Sequence, residues 1–474
     1  MFTFGGGAGW SLSWALPVQM FARSRVNVRR SLEPVCSSVS IQLHVRKTSS
    51  TSTFSRLNAD KMRGDRDGTS ESRSSSIRPG KTQYRLIEYV EDLDGYRPGG
   101  YHPLSIGDDL DEGRYQLVDK LGYGGYSTIW LARDLQVARY VAVKVITADA
   151  SIYAPEASLL CSLAKSPARP GSETIPPLIE QFWAVGPNGK HRCIVTLPAR
   201  MSLFDAKEAS TFGLFRPKVA QSIIAQLIRG VAFLHSEHII VHGDLHLGNI
   251  LVQFPKVIDH FPTSELYERF GEPESEAVIR VDGKPLSNGV PANVFSSKTL
   301  PLLQPPEARF SDEPLSFASD IWTLACTIWE IFGQRPLFEA FYPTADGVTA
   351  EQVEAIGILP PEWWKKWSRR LEWFNEEGEL DLKPDVSRGH DSMRRTWDKR
   401  FGYCIQEPRA EAGLETVTEK ERRAFETMLR SMLVFRPNER ATVQQVLHSE
   451  WMKGWREPAL EESWSTVSSV MKGK

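Results

Sequence analysis

In residues 241–251, Val-His-Gly-Asp-Leu-His-Leu-Gly-Asn-Ile-Leu, a carboxylate (Asp244) and a carboxamide (Asn249) stand five residues apart, with apolar residues on both sides. That arrangement suits phosphoryl transfer: Asp244 can orient a nucleophilic hydroxyl, and Asn249 can hold a metal ion bound to phosphates. The same residue types also cap turns, so the pair alone leaves both readings open. A second candidate is Lys144, inside Tyr140 to Ile146 (Tyr-Val-Ala-Val-Lys-Val-Ile). A lysine in a buried-type, β-branched strand is costly unless it meets a partner. Glu156 follows Pro155 and opens a helical run with Leu159, Leu160 and Leu163 on one side, which makes it the candidate partner. An exposed first-turn glutamate, favoured by the helix dipole, is the alternative. The third candidate is the run 121–132, Leu-Gly-Tyr-Gly-Gly-Tyr-Ser-Thr-Ile-Trp-Leu-Ala. Gly122 and Gly124 let backbone amides approach phosphates where a side chain would collide, although a plain hairpin turn has the same composition.

These residues need elements to hold them. Gln116 to Lys120 reads as a strand leading into the glycine run, and Ile250 to Val252 as a short strand after Asn249. Cys193 to Leu197 is a strand fed by a Pro187-Asn188-Gly189 turn and ended by Pro198. Val219, Ile223, Leu227, Val231 and Leu234 recur at helical spacing and form a core face. Ser319 to Gly333 is a long apolar helix with one buried-type acid, Asp320, near its start, where a cap is also expected. Trp363, Trp364, Trp367 and Trp373 fall in a polar insert. We read them as staples holding that insert to the domain, with a docking surface as the sharper alternative.

The 474 residues exceed one small core and suit a two-lobed domain with tails. A net charge of -2 gives no electrostatic case for nucleic acid or an anionic membrane surface, and no run is apolar enough to span a bilayer. The five cysteines (Cys36, Cys161, Cys193, Cys326, Cys404) are scattered, against a disulfide framework or a zinc site and in keeping with a reducing compartment. Residues 1–80 read as disordered. Arg23 to Ala59 carries seven basic residues and one acid, Glu33, among many Ser and Thr, a composition that resembles a mitochondrial transit peptide as well as a plain basic tail.

Taken in order, these motifs resemble the protein-kinase superfamily, whose His-Arg-Asp-Leu-Lys-x-x-Asn is spelled His-Gly-Asp-Leu-His-Leu-Gly-Asn here. The resemblance covers about residues 95–458. It implies an α+β fold of two lobes. A lead-in (81–113) would precede a small β-rich lobe (114–198). A larger α-helical lobe (199–458) would carry inserts at about 253–300 and 343–420, and a tail (459–474) would follow. It implies ATP and Mg2+ as cofactors and Asp244 as the catalytic residue. Around the nucleotide it places Leu121, Gly122, Gly124, Ser127, Ile129, Ala142, Lys144 and Glu156. Thr196 would be the gatekeeper, with Leu197 to Ala199 facing the adenine. Asp320 would tie down the catalytic loop, and Glu307 would pair with Arg440 in a structural role.

Within the superfamily, Gly99 to Asp108 (Gly-Gly-Tyr-His-Pro-Leu-Ser-Ile-Gly-Asp) and Ser127 in place of a third glycine resemble the SR-protein kinases, most closely a fungal branch. This implies a monomeric serine/threonine kinase acting on Ser/Arg-rich proteins in the cytoplasm or nucleus, or in the mitochondrion if the amino-terminal composition is a transit signal. The chain departs from the family at Gly243 (usually Arg), His246 (usually Lys) and Gln304 (usually Arg). It also has no Asp-Phe-Gly between Asn249 and Glu307, although the family uses that Asp to hold metal. Asp259 is the substitute we expect at the metal, and Asp282-Gly283 reads as a turn. A stretch of the family's sequence is missing between about 290 and 302. The competing readings are a pseudokinase binding module and a small-molecule phosphotransferase, the latter disfavoured by Asp320, Glu307 and Arg440.

Overall fold

The computed structural model describes residues 41–43, 83–238, 240–254, 256–295, 304–339, 344–381, 395–456 and 458–459. Within residues 1–80, read from the sequence as disordered, Ile41–Leu43 form a strand, β1, and the rest lie outside the described residues. The signal was present, because Val39, Ile41, Leu43 and Val45 alternate with Ser38, Ser40, Gln42 and His44. The basic, Ser-rich composition around it masked that period.

The small lobe is an antiparallel sheet made from the β-branched runs. Its strands are β2 (Asp109–Leu110), β3 (Tyr115–Gly124), β4 (Ser127–Asp134), β5 (Arg139–Ile146), β6 (Leu178–Gly186) and β7 (Gly189–Thr196), in the order β2-β3-β4-β5-β7-β6. Val141, Val143 and Val145 of β5 meet Trp130, Cys193 and Val195 in its core. Pro187-Asn188 makes the expected turn, with Gly186 opposite Gly189. Helix α1 (Glu156–Ala164) packs Leu159, Leu160 and Leu163 inward, as its spacing predicts.

Below this sheet, β8 (Ala199–Ser202) and β9 (Ile250–Gln253) pair with each other, and β1 completes a second sheet in the order β1-β9-β8. The large lobe is helical. Helix α2 (Pro217–His238) buries Ile223, Leu227, Val231 and Leu234 completely. The insert that follows β9 includes α3 (Thr263–Phe270) and the hairpin of β10 (Ser275–Ala277) and β11 (Asn293–Phe295). Helices α4 (Phe317–Phe332) and α5 (Glu419–Met432) share a core in which Trp329 and Phe332 meet Phe425 and Trp451. Trp363, Trp364, Trp367 and Trp373 of the later insert are buried. Trp363 stacks on Phe310, and the Trp367 indole N–H donates to Asp346 at 2.8 Å. They staple the insert to the lobe and offer no docking face.

The first insert departs from expectation. Residues 254–295 lie within the large lobe's stretch of sequence but pack on the small lobe. Ile258 and Leu266 join Val118, Leu131 and Tyr140 in one cluster. Val278, Val290 and Val294 join Tyr84, Ile87, Tyr96 and Tyr101 of the lead-in in another, and Phe295 meets Trp130 edge-on. Burial of apolar faces decides this placement, and sequence order does not.

The lead-in is fixed by a second device. His102 stacks on His191 of β7, with ring centroids 4.6 Å apart and planes 4° from parallel. Burial, with the neighbouring His191 adding to it, lowers His102 from its ordinary 6.5 to about 4. Between those values the unfolded chain takes a proton that the folded chain refuses. The contribution is therefore complete above about 6.5 and is lost as pH falls toward 4. His102→Phe should flatten the decline of the urea midpoint across that window; an unchanged decline would mean that other groups carry the acid sensitivity.

Candidate active site

The catalytic loop owes its shape to one buried carboxylate. Asp320 stands in the first turn of α4 and is almost wholly inaccessible. Its Oδ2 accepts from the His242 amide at 2.7 Å and its Oδ1 from the Gly243 amide at 2.8 Å. His235 Nε2, at the end of α2, lies 2.9 Å from Oδ2. Thr327, farther along α4, donates to the Leu245 carbonyl at 3.4 Å. Gly243 has φ 74°, a left-handed backbone that suits glycine. Asp320 therefore ties down the loop, as the resemblance implied.

On that frame Asp244 is open, its side chain 47% exposed. The Asn249 amide donates to the Asp244 carbonyl at 2.8 Å and to its Oδ2 at 2.9 Å, so the two residues are brought together as their spacing predicted. His246 Nδ1 accepts from the Gly248 amide at 3.1 Å, which places Nε2 3.7 Å from Asp244 Oδ1.

Lys144 projects from β5 to Glu156 at the start of α1, Nζ to Oε2 2.5 Å, with both side chains mostly buried. The lysine thus has the partner its buried strand demanded. Ile129 pairs with Lys144, and Ala142 with Thr196. Leu197 and Pro198 form the link between β7 and β8, and Ala199 then pairs with Gln253 of β9. This short link joins the small-lobe sheet to β8, the partner of the strand that leaves Asn249.

The glycine run is a tight β3–β4 turn in which Gly124 faces Ser127 and Gly125 and Tyr126 are exposed. A Cβ at Gly122 or Gly125 would meet no atom of the protein. Internal packing therefore does not demand these glycines, and they leave room for a ligand. Ser127, expected at the phosphates, is buried at the base of the turn and pairs with Ile146. The turn itself, and not the Ser127 hydroxyl, is the open part. Leu121 is half-buried beside the α3 cluster.

Two contacts from the lead-in were not legible in the motifs. The Tyr101 hydroxyl donates to the Gly124 carbonyl at 2.9 Å. Glu91, fully buried, accepts from both Lys120 of β3 and the Tyr96 hydroxyl. Both tie the glycine turn to a segment far from it in sequence, and only burial identifies them.

The donors suit a nucleoside triphosphate: an ion-paired lysine, an open glycine turn and a short link after β7. They do not complete a metal site. Asp259, our expected substitute, is turned away. Its Oδ1 accepts from the Tyr140 amide at 2.8 Å, and its carbonyl accepts from Arg133 at 3.0 Å, at the far end of β5 from Lys144. That assignment is corrected. Asp282 is gripped by Arg280 at 2.8 and 2.7 Å, which holds its carboxyl well below the usual range. Among the described residues no group of three His, Cys, Asp or Glu side chains could hold a metal ion. Of residues 290–302, where the sequence suggests a missing stretch, 296–302 lie outside the described residues.

In the large lobe Glu307 and Arg440 meet in a buried, bidentate pair, both contacts 2.7 Å, and Ser319 donates to Glu307 at 2.8 Å. Residues 115–452 match the family described as protein kinase domain. The chain belongs to that family. A serine/threonine protein kinase of Aspergillus fumigatus is 24% identical over 388 residues, covering 76% of this chain and 90% of the relative. The serine/threonine-protein kinase SRPK of Physarum polycephalum is 25% identical over 345 residues, 61% of this chain and 78% of the relative. SRSF protein kinase 3 of Mus musculus is 36% identical over 195 residues, but these are 38% of this chain and 34% of that protein. The chain is a serine/threonine protein kinase with a two-lobed fold, resembling the SR-protein kinases. No helix among its described residues is long and apolar enough to cross a membrane.

Asp320 offers a direct test of the frame. Asp320→Ala leaves the His242 and Gly243 amides without their acceptor, at about 1–3 kcal/mol for each unsatisfied donor. We expect urea denaturation to show a loss of roughly 2–5 kcal/mol, and a smaller loss in Asp320→Asn, which keeps one acceptor. A loss below about 0.5 kcal/mol in Asp320→Ala would mean that the loop holds itself.

Proposed function

We propose that this kinase binds ATP between Lys144 and Asp244, prefers serines beside arginine, and turns over slowly because its metal site is incomplete. The observation that carries this is the pair of contacts on the two lobes, Lys144 on Glu156 and Asp244 on Asn249, with no metal-holding cluster of His, Cys, Asp or Glu among the described residues. Lys144, fixed by Glu156, would pair the α- and β-phosphates. Leu197 to Ala199 would meet the adenine edge with backbone groups, beside Thr196. Asp244 would take the proton of a substrate hydroxyl as its oxygen attacks the γ-phosphorus, and the bond to the departing ADP breaks. Metal ions, when bound, neutralise charge on the transferred phosphoryl group. Of the two family positions that hold them, Asn249 alone is present. A contact made chiefly in the transition state affects turnover more than binding. A deficit of about 4 kcal/mol slows a reaction about a thousandfold.

The lead-in from Gly99 to Asp108 and the names of two relatives support the substrate class. Asp320 and the Glu307–Arg440 pair, as protein-kinase features, weigh against a small-molecule phosphotransferase. The short metal set also favours the pseudokinase reading, in which nucleotide binds and no phosphate is transferred.

Two measurements separate these. ATP should raise the melting temperature of the parent chain and do so far less in Lys144→Ala; an equal shift in both would refute the nucleotide site. Transfer from ATP to an Arg-Ser peptide should be slow but faster than to acidic or proline-directed peptides. It should fall by at least about 100-fold in Asp244→Asn and stay unchanged in Asp259→Asn. Equal turnover across the peptides would reject the substrate class. Loss in Asp259→Asn would restore that residue to the metal site, and no transfer by the parent would leave the pseudokinase.

A further inference from the structure

Strand β9 carries the chain out of the catalytic loop, since Ile250 follows Asn249 directly. One edge of β9 is taken by β8. The other is taken by β1, with Leu43 opposite Ile250, Gln42 opposite Leu251 and Ile41 opposite Val252. Nothing described downstream competes for this edge: beyond Gln253 the chain crosses to the small lobe, and β10 and β11 pair only with each other. An uncovered strand edge presents unpaired N–H and C=O groups and templates another strand. The occupant has the pattern of a strand, with Val39, Ile41, Leu43 and Val45 alternating with polar residues in an otherwise basic, Ser-rich stretch. Strand β1 also lies against α2 and the short turn Ser172–Thr174.

We propose that β9 presents a strand-binding edge and that Ile41–Leu43, from the chain's own amino-terminal segment, binds it in cis as a clamp on the catalytic loop. Its last pair is at Ile250, next to Asn249, whose amide in turn orients Asp244. The clamp is a positioning device and touches no reacting atom. It rests on main-chain pairing, so it stands or falls apart from the nucleotide and substrate readings above.

The test uses the full chain. Gln42→Pro places a residue without an N–H in the middle of β1. Amide exchange over residues 249–253 should then rise on the order of tenfold, stay at the parent's rate in the control Ser50→Pro, and fall again when a peptide spanning Ser38 to Val45 is added to Gln42→Pro. A second measurement does not depend on how that variant folds. Directly opposed residues of an antiparallel pair have Cα atoms about 4.5–5.5 Å apart, within disulfide range. In a Cys36→Ser background, the Gln42→Cys/Leu251→Cys pair should be joined on mild oxidation, and a Gln42→Cys/Val185→Cys control should not. Exchange indifferent to Gln42→Pro, or a cross-link no faster than the control, overturns the proposal.

Discussion

The buried Asp320 carboxylate is the contact on which the active site depends. A charge with so little solvent must be met by hydrogen bonds, and it is met by two consecutive loop amides and the His235 ring. Because Asp320 is part of α4, the loop inherits the rigidity of the large-lobe core. That core is braced by the Glu307–Arg440 pair, whose arginine also donates to the Ala318 carbonyl just ahead of Asp320. The exposed Asp244 therefore points from a fixed backbone, and its position needs no ligand to set it.

The small lobe solves the opposite problem, how to keep a lysine charged within a sheet. Glu156 meets it from α1, and the lobe is held on its outer side by material drawn from elsewhere. The lead-in reaches β3 through Glu91 and the glycine turn through Tyr101, and residues 254–295 cover the β3–β5 face. The glycine turn is thus tethered from behind while its front stays open. This division suits a loop that must admit a phosphate chain.

What the sequence made legible was local. Lys144 announced a partner because an unpaired charge in a β-branched strand is costly, and the partner lay within reach of the next helix. Asp244 and Asn249 declared themselves by spacing, and Asp320 by standing alone in an apolar helix. What it hid was set by long-range burial. Asp259 lies close to Asn249 along the chain, yet Ile258 and Phe261 on either side of it are apolar and draw it to Tyr140. Ser127 looked like a phosphate contact by position and is buried by its strand register. Ile41–Leu43 carried a period-2 signal too short to outweigh its surroundings, and its pairing with β9 reaches across the lead-in, the whole small lobe and the start of the large-lobe sequence.

The central claim is that the cleft is complete for nucleotide and incomplete for metal. It is tested most directly by counting metal ions at the nucleotide, with Mn2+ as the paramagnetic probe and ATP titrated into the full chain. The account predicts ATP binding that depends on Lys144, at most one weakly held Mn2+ beyond that bound to free ATP, and tightening of ATP by metal of less than about tenfold. Two tightly held Mn2+ ions per chain, or metal-driven tightening of about a hundredfold or more, would contradict it.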